Sequence, residues 1–223
     1  MKKFLCSTLL LATATSLSHA VTILAPGDPI IGGARVGGNF EVGVVGVTGG
    51  VNNWPAAEPP EDLINGIIGG GGEKYLNFAR EDTGFIVTPA SGSSIVRQME
   101  LWVANDASPR DPGSFEIWGT NNVIGGGGPF DIGATFTQIA SGGLSLPDTR
   151  DLVADATGFS QVVNFANSTA YTSYLVLFPT VKDSPNANSM QLSEIQLDTI
   201  PEPGSTSLLA LALGGLLLRR KRR

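Results

Sequence analysis

Carboxylates are the side chains of this sequence best suited to chemistry. Two pairs lie close together along the chain, Glu81 with Asp82 and Asp106 with Asp111. Two carboxylates are what hydrolysis of a glycosidic bond requires, so a glycosidase is one interpretation of these pairs. Acidic pairs in an acidic chain are more often solvated loop residues, and we therefore expect a protein that is not an enzyme.

Cysteine and histidine occur once each, as Cys6 and His19. Both lie in residues 1–20, which begin with two lysines, continue with an apolar run and end in small residues at Ala20. This pattern indicates a secretory signal peptide, so we expect the Sec translocon to export the chain and signal peptidase to cleave it after Ala20. The alternative, a buried N-terminal helix, does not account for the basic start.

Export would leave a mature chain without thiol or imidazole. That composition excludes a Ser-His-Asp triad, a cysteine nucleophile and any metal site with histidine or cysteine ligands. Only oxygen ligands remain for a metal ion, and these suit calcium or magnesium. The fold must also be stable outside the cytoplasm without disulfides, which predicts a sizeable hydrophobic core.

The C-terminal segment, 201–223, has three parts. They are the tripeptide Pro201-Glu202-Pro203, an apolar stretch from Leu208 to Leu218, and the basic residues Arg219, Arg220, Lys221, Arg222 and Arg223. The apolar part predicts a transmembrane helix, because its basic flank can hold the cytoplasmic end. The helix would be short, since the stretch has fewer than the ~20 residues that comfortably span a bilayer. A permanent anchor and a buried terminal helix are alternatives, but neither explains the two prolines.

This segment resembles the PEP-CTERM sorting signal. The resemblance implies that exosortase, a membrane transpeptidase, recognises the segment and removes it near the Pro-Glu-Pro motif. It also implies an inner-membrane intermediate, followed by delivery to the cell surface or extracellular matrix of a Gram-negative bacterium that makes exopolysaccharide.

Between the two end segments the chain is strongly acidic. The whole sequence has a net charge of −6, and the ends contain seven basic residues and one acidic residue, which leaves −12 for residues 21–200. Such a charge disfavours nucleic acid as a partner.

Residues 21–200 predict an all-β fold. Short alternating or β-branched runs are separated by turns rich in Gly, Pro, Asn and Asp, and this spacing favours an antiparallel β-sandwich or jelly roll. In SIVRQMELWVA, alternation places Ile95, Arg97, Met99, Leu101 and Val103 on the core face. The glycine runs at 69–72 and 125–128 predict loop tips, because neither is followed by Lys-Ser/Thr and a helix.

The order of the runs resembles the discoidin-like, galactose-binding-like β-sandwich. The resemblance is carried by KYLNF, GFIVTP, LWVANDASPRDPGSFEIWGTNN, IASGGLSLPDTR, NSTAYTSYLVLFPTV and NSMQLSEIQL. It predicts lead strands over 21–51 and the sandwich over 52–200. We interpret Arg110 and Asp111 as a pair that fixes the turn before SFEIWG.

The resemblance implies two sites. One is a structural calcium ion, for which Asn65, Glu73 and Glu194 are the candidate ligands; the family pattern often has Asp where this chain has Asn65. The other is a sugar-binding surface on loops, built from an aromatic platform and polar side chains. Its candidates are Trp54, which the Pro- and Asn-rich segment VNNWPAAEPP makes the best candidate for an exposed aromatic, and the loop residues Asn105, Asp106 and Arg110. The alternative for Trp54 is packing over an edge of the sandwich. Trp102 and Trp118, with Tyr171 and Tyr174, lie within predicted strands, and we expect them to be packed.

Three functions fit the sequence to different degrees. The favoured one is a non-catalytic surface or matrix protein that binds exopolysaccharide or another cell-surface glycan. A ligand-free structural protein of the same fold is the alternative, and a carboxylate-dependent glycosidase is the least favoured.

Overall fold

Residues 20–69, 72–150 and 159–200 are described by the computed structural model of this chain. Except for Ala20, the predicted signal peptide lies outside these residues, and so does the predicted sorting signal. Within the described ranges, no helix has the length and apolar character needed to cross a membrane.

Strands dominate the regular structure between residues 21 and 199. They are β1 Val21–Thr22, β2 Ile30–Val36, β3 Asn39–Val42, β4 Val44–Val45, β5 Asn53–Trp54, β6 Tyr75–Asn77, β7 Thr83–Val87, β8 Gln98–Trp102, β9 Ser114–Thr120, β10 Phe130–Asp131, β11 Thr137–Gly143, β12 Ser160–Asn164, β13 Ser173–Phe178, β14 Met190–Leu192 and β15 Glu194–Thr199. The helical elements are short: 3₁₀ turns at Pro60–Ile64, Ser108–Arg110 and Ser184–Asn186, and α1 at Ile132–Thr135.

Two antiparallel sheets contain most of these strands. One has four strands in the order β1-β15-β8-β12, and the other has seven in the order β10-β3-β2-β7-β13-β9-β11. Two smaller pairs flank them, β14 with β6 in antiparallel and β4 with β5 in parallel orientation. The predicted all-β, antiparallel architecture is therefore confirmed. Residues 21–51 contribute strands to both main sheets, through β1 and through β2 with β3.

The main core lies between the two sheets. Met99 and Leu101 of β8 and Ile195 and Leu197 of β15 belong to one buried cluster with side chains of β7, β9 and β13. Each fully buried side chain of this kind contributes about 1.5–3 kcal/mol to stability. Residues 21–199 contain no cysteine, so this core forms without disulfides, as the composition predicted.

A second, smaller core covers the outer face of the seven-stranded sheet. It contains Ile86, Leu175 and Leu177, which alternate with inward-facing residues of the same strands, and it is closed by Ile132 and Phe136 around α1. The central strands β7 and β13 are thus buried on both faces. This explains why SYLVLF is a continuous apolar run and not an alternating one.

The predicted core face of SIVRQMELWVA is correct within and just after β8 but wrong before the strand begins, where Val96 is buried in the main core and Ile95 is only partly buried. Met99, Leu101 and Val103 are buried in the core between the sheets. Trp102, assigned to the opposite face, is also buried, at 6 % exposure. Its burial comes from tertiary structure. Trp102 lies opposite Glu194 in the strand register, and the segment after the first 3₁₀ turn lies over this face, where the amide of Gly66 donates to the Glu194 carboxylate.

Candidate functional site

Three of the predicted ligand residues lie together in the segment between β8 and β9. Asp106 is 48 % exposed, and its Oδ2 lies 3.7 Å from Nη1 of Arg110, which is 25 % exposed. Asn105 is brought to the same place by a shared partner, Lys74. The sequence therefore grouped these three side chains correctly, while their role in binding stays a prediction.

The buried side chain of Lys74 holds the segment between β8 and β9 in place. Its side chain is only 4 % exposed, and its Nζ donates to Asp106 Oδ1 at 2.9 Å and to Asn105 Oδ1 at 3.1 Å. Gln191 Oε1 accepts from the same amine at 3.3 Å, and Glu58 Oε1 lies 3.7 Å away. We call Glu58, Lys74, Asn105, Asp106 and Gln191 the Lys74 cluster. A buried ammonium with this many acceptors holds the loop in one geometry.

The backbone of Ala107 has a conformation that is unfavourable for alanine. Its φ is 30°, in the left-handed region that residues with a Cβ avoid. Nε2 of Gln191 donates to the carbonyls of Asp106 at 2.6 Å and of Ala107 at 3.3 Å. Strain of this kind persists only where surrounding contacts over-determine the backbone, and it is concentrated at functional sites.

The electrostatics keep Asp106 ionised. Its partial burial opposes ionisation, but the hydrogen bond and charge of Lys74, aided by Arg110, outweigh this and lower the pKa of Asp106. The loop therefore presents a carboxylate and a guanidinium, both partly accessible to solvent.

The predicted Arg110–Asp111 pair is wrong. Asp111 is fully buried and accepts two hydrogen bonds from Arg150, at 2.6 and 3.0 Å, with Lys182 Nζ at 3.7 Å. Sequence proximity favoured Arg110, but the segments containing Arg150 and Lys182 fold back onto Asp111. Arg110 is left to face Asp106.

The expectation that Trp54 is exposed is also wrong. Its ring is 7 % exposed and packs edge-on against Tyr75, with the ring centroids 5.7 Å apart. Gly43 lies against the indole so closely that a Cβ there would be 2.3 Å from the ring. A pairing of two short strands, β4 with β5, carries the Pro- and Asn-rich segment into the core, so this indole offers no face to a sugar.

The predicted calcium ligands also lie near one another. Asn65 Nδ2 donates to Glu73 Oε2 at 2.9 Å and to Asp62 Oδ1 at 3.4 Å, and the amide of Gly66 donates to Glu194 Oε2 at 3.3 Å. We call Asp62, Asn65, Glu73 and Glu194 the Asp62 cluster. Asp62 was missed by the sequence reasoning, although its position three residues before Asn65 was visible.

Two carboxylates of the Asp62 cluster, Asp62 and Glu194, have raised pKa values. Burial, followed by the charge of Glu73, raises the pKa of Asp62 to about 6. Burial, and then the charge of Asp62, raises the pKa of Glu194 to about 8. Among the described residues, no Lys or Arg forms an ion pair with these three carboxylates, so their negative charges are not balanced by the protein.

The donor chemistry of the Asp62 cluster suits a hard cation, but Asn65 does not fit as predicted. Its Oδ1 accepts from the amide of Ile67 at 2.7 Å, so its amino group faces the carboxylates. In the described ranges, no group of three or more Asp, Glu, His or Cys side chains has an arrangement ready to hold a metal ion. Calcium binding stays a prediction.

Lys74 and Gln191 are the functional candidates that the sequence reasoning missed. The sequence did distinguish Lys74, since only one other lysine, Lys182, lies between residues 21 and 200. A lysine next to the apolar run KYLNF needs a partner only if the fold buries it, and the structure does bury Lys74. The acceptor across the chain could not be identified without the β6–β14 pairing.

Comparison with known proteins gives structural similarity only. No protein-family model matches the sequence, and no curated protein is similar to it. The fold is similar to solved structures of family 32 carbohydrate-binding modules.

Three of these structures illustrate the level of similarity. CpGH89CBM32-5 from Clostridium perfringens, in complex with GalNAc-β-1,3-galactose, has a TM-score of 0.48 and 10% identity, and the match covers 80% of this chain and 100% of that one. The family 32 module of C. perfringens NanJ, in complex with galactose, has a TM-score of 0.43 and 11% identity over 65% and 87% of the chains. The module of Streptococcus pneumoniae EndoD has a TM-score of 0.48 and 10% identity over 79% and 98%. Similarity at this level assigns neither a family nor a ligand to this chain.

Proposed function

We propose that this protein is an exported, non-catalytic surface or matrix protein that binds polysaccharide through the loop between β8 and β9. The observation that carries the proposal is the Asp106–Arg110 pair, half-open to solvent on a strained loop that buried Lys74 and Gln191 hold in place. Binding of a flexible ligand costs less free energy when the site is already ordered.

The chemistry of this pair suits sugar hydroxyls. A carboxylate accepts hydrogen bonds, a guanidinium donates them, and the amide of Asn105 can do both. The net charge of −12 disfavours nucleic acid, so a neutral or weakly charged glycan such as an exopolysaccharide is the expected ligand.

The carboxylate pairs that would suit a glycosidase are engaged with cations. Asp106 contacts Lys74, Asp111 contacts Arg150, and Asp82 contacts Arg35. A glycosidase needs one carboxyl group that is protonated at working pH beside one that is ionised. The pKa of Asp106 is lowered, whereas burial raises the pKa of Asp111 to about 6, so Asp111 would have to be the acid of this pair. Asp111 is fully buried and bonded to Arg150, and it therefore cannot reach a glycosidic oxygen, which favours binding without hydrolysis.

Export and sorting are supported by the end segments of the sequence. The Sec translocon, signal peptidase and exosortase are the proposed partners, and the cell surface or extracellular matrix of a Gram-negative bacterium is the proposed destination. Substituting Pro201 and Pro203 by alanine in the producing cell should leave an uncleaved, membrane-associated chain, detected by the mass of the protein in membrane and surface fractions. Unchanged processing would contradict the sorting proposal and leave the binding proposal intact.

Calcium is the cofactor that we propose for the Asp62 cluster. Glu73 and Glu194, with Asp62 beside them, would supply carboxylate oxygens, which are the ligands calcium prefers. Calcium would neutralise charges that the protein leaves unbalanced. Isothermal titration with calcium, with magnesium as comparison, should show uptake that the Glu194→Gln variant weakens; no uptake by the folded protein would exclude this cofactor.

The binding test uses residues 21–199, which contain the complete core. The domain is applied to a glycan array and to soluble exopolysaccharide of the producer, with calcium and with chelator. We expect saturable binding that weakens at least tenfold, or about 1.4 kcal/mol, in Arg110→Ala and Asp106→Asn. Glu41→Gln on β3 removes the same charge as Asp106→Asn and serves as the matched control.

Failure of a folded domain to bind any glycan would overturn the proposal. The ligand-free structural protein would then be the better description. Trp54→Ala is unsuitable as a binding-site variant, because it removes a core side chain and would lose binding through unfolding.

A further inference from the structure

A second polar and aromatic surface lies on the outer face of the seven-stranded sheet. Arg35 of β2 donates from Nη1 to Glu116 Oε2 at 2.8 Å, and Trp118 donates from Nε1 to the same oxygen at 3.1 Å. Arg35 also donates from Nε to Asp82 Oδ1 at 3.0 Å. One carboxylate oxygen thus fixes both a guanidinium and an indole.

The strand register places Gln138 beside the indole. Gln138 of β11 lies directly opposite Trp118 of β9 in the antiparallel ladder, so both side chains leave the sheet on the same face. Gln138 is exposed, and β11 is the last strand of its sheet. We call Arg35, Asp82, Glu116, Trp118 and Gln138 the outer-face cluster.

Trp118 differs from the other two tryptophans. Trp54 and Trp102 are 7 % and 6 % exposed, whereas Trp118 is only partly buried and packs against the smaller core with part of its surface. Its indole N–H is already bonded to Glu116, so the ring orientation is set in the free protein. A partly exposed, oriented indole is a ready platform for an apolar ring face.

Hydrogen-bonding capacity remains around this platform. Both bonds to Glu116 use Oε2. Arg35 donates to Asp82 Oδ1 from Nη2 as well as from Nε, so the second oxygen of each carboxylate can accept from a ligand. Asp82 keeps a half-exposed carboxylate here although its φ of 55° is unfavourable for a residue with a Cβ. Arg35 balances one of the two acidic charges, which disfavours an anionic ligand.

We propose that the outer-face cluster is a second saccharide-binding surface, which stacks a neutral sugar ring on Trp118 and bonds its hydroxyls through Glu116, Asp82 and Gln138. A pyranose has an apolar C–H face and a rim of hydroxyls that both donate and accept, and the cluster offers the complement of each. This surface is separate from the loop between β8 and β9 and does not depend on binding there. Two separate sites on one domain would also raise avidity for a long polysaccharide.

Tryptophan fluorescence tests this surface, because Trp118 is the tryptophan with accessible ring surface. Residues 21–199 are titrated with cellohexaose, laminarihexaose and a β-1,4-galactan oligosaccharide. We expect a saturable emission change, and protection from acrylamide quenching, with at least one probe. The dissociation constant should rise at least tenfold in Gln138→Ala and in Glu116→Gln. It should stay within twofold in the control Gln98→Ala, a partly buried glutamine of β8, which belongs to the other sheet.

The Arg110→Ala variant separates this site from the loop site. If the emission change survives in Arg110→Ala and is lost in Gln138→Ala, the outer-face cluster binds the sugar. The proposal is overturned if no probe changes the emission, or if the change is lost in Arg110→Ala and kept in Gln138→Ala. It is equally overturned if emission depends on protein concentration and sedimentation shows a dimer, since the surface would then bind a second copy.

Discussion

The Lys74 cluster and the Asp62 cluster are neighbours, joined by the peptide bond between Glu73 and Lys74, yet they balance charge in opposite ways. In the first, a buried ammonium faces Asp106 and Glu58, and the pKa of Asp106 is lowered. In the second, three carboxylates share amide donors, and the pKa values of Asp62 and Glu194 are raised to about 6 and about 8.

The buried charge of the Lys74 cluster is therefore paired without a ligand, whereas no described lysine or arginine pairs with the carboxylates of the Asp62 cluster. A buried charge needs a partner, and without one it shifts its pKa or recruits an ion. The Lys74 cluster contains its partner and can hold a strained loop for a ligand. The Asp62 cluster requires protons or a cation from outside.

Removing the buried ammonium should have the largest effect. We expect Lys74→Met to lower the free energy of unfolding by about 2–4 kcal/mol, because two carboxylates and Gln191 lose their common donor. Urea unfolding at neutral pH measures this.

Lys182→Met is the comparison variant, since Lys182 is 27 % exposed and its nearest carboxylate partner, Asp148, is 82 % exposed. Its Nζ also lies 3.7 Å from the buried Asp111, but that carboxylate keeps both hydrogen bonds from Arg150 in this variant. Exposed pairs contribute about 0–1 kcal/mol, so this variant should lose less than half as much. Equal losses would mean that Lys74 is no more important to the fold than a surface lysine.

The Asp62 cluster predicts an unusual pH dependence in the presence of chelator. The pKa of Glu194 is raised in the folded state, so the folded state binds more protons than the unfolded state between roughly pH 4.5 and 8. Its contribution to stability is complete below that window and is lost as the pH rises through it. At about 1.4 kcal/mol per pH unit this window corresponds to at most about 5 kcal/mol, and we expect a loss of at least about 2 kcal/mol, measured by thermal or urea unfolding.

Glu194→Gln identifies the group responsible. The variant keeps an acceptor for the Gly66 amide and has no charge, so its unfolding curve should be flatter across this window. A parent protein whose stability rises from pH 5 to pH 8 would contradict the raised pKa.

Neutralising one acid in each cluster should change stability in opposite directions. Asp106→Asn should lose about 1–2 kcal/mol, because Lys74 keeps a weaker partner. Asp62→Asn at pH 8 should gain about 0.5–1 kcal/mol, because repulsion with Glu73 and Glu194 disappears. Both are measured with chelator present, and the same sign for both variants would remove the distinction between the clusters.

Relaxing the strained loop should have the smallest effect on stability. Ala107→Gly removes the Cβ that disfavours a φ of 30°, and the greater freedom of glycine in the unfolded chain offsets part of this gain. We expect stability to change by less than about 0.5 kcal/mol, while glycan affinity falls because the loop is less ordered. Ala104→Gly, at a buried position nearby, should lose more stability.

Local patterns in the sequence predicted the strands well because alternation and turn residues act over a few residues. Met99, Leu101 and Val103 fall on the core face as their spacing indicates. Asn105, Asp106 and Arg110 share one loop, and Asn65 meets Glu73, because short segments limit how far such residues can separate. The composition likewise restricts the chemistry of residues 21–200, which contain no cysteine or histidine, to oxygen donors, lysine and arginine.

Partners distant in sequence were decided by tertiary structure. Trp54 is buried because β4 and β5 pair, Asp111 binds Arg150 and not Arg110, and Lys74 meets Gln191 through β6 and β14. Burial and charge balance depend on which distant segments pack against a residue. Side-chain type and local spacing do not show which segments these are. The sequence by itself determined the strand pattern and the chemical groups, whereas the packing of the two sheets decided which of those groups are buried, paired or open to a ligand.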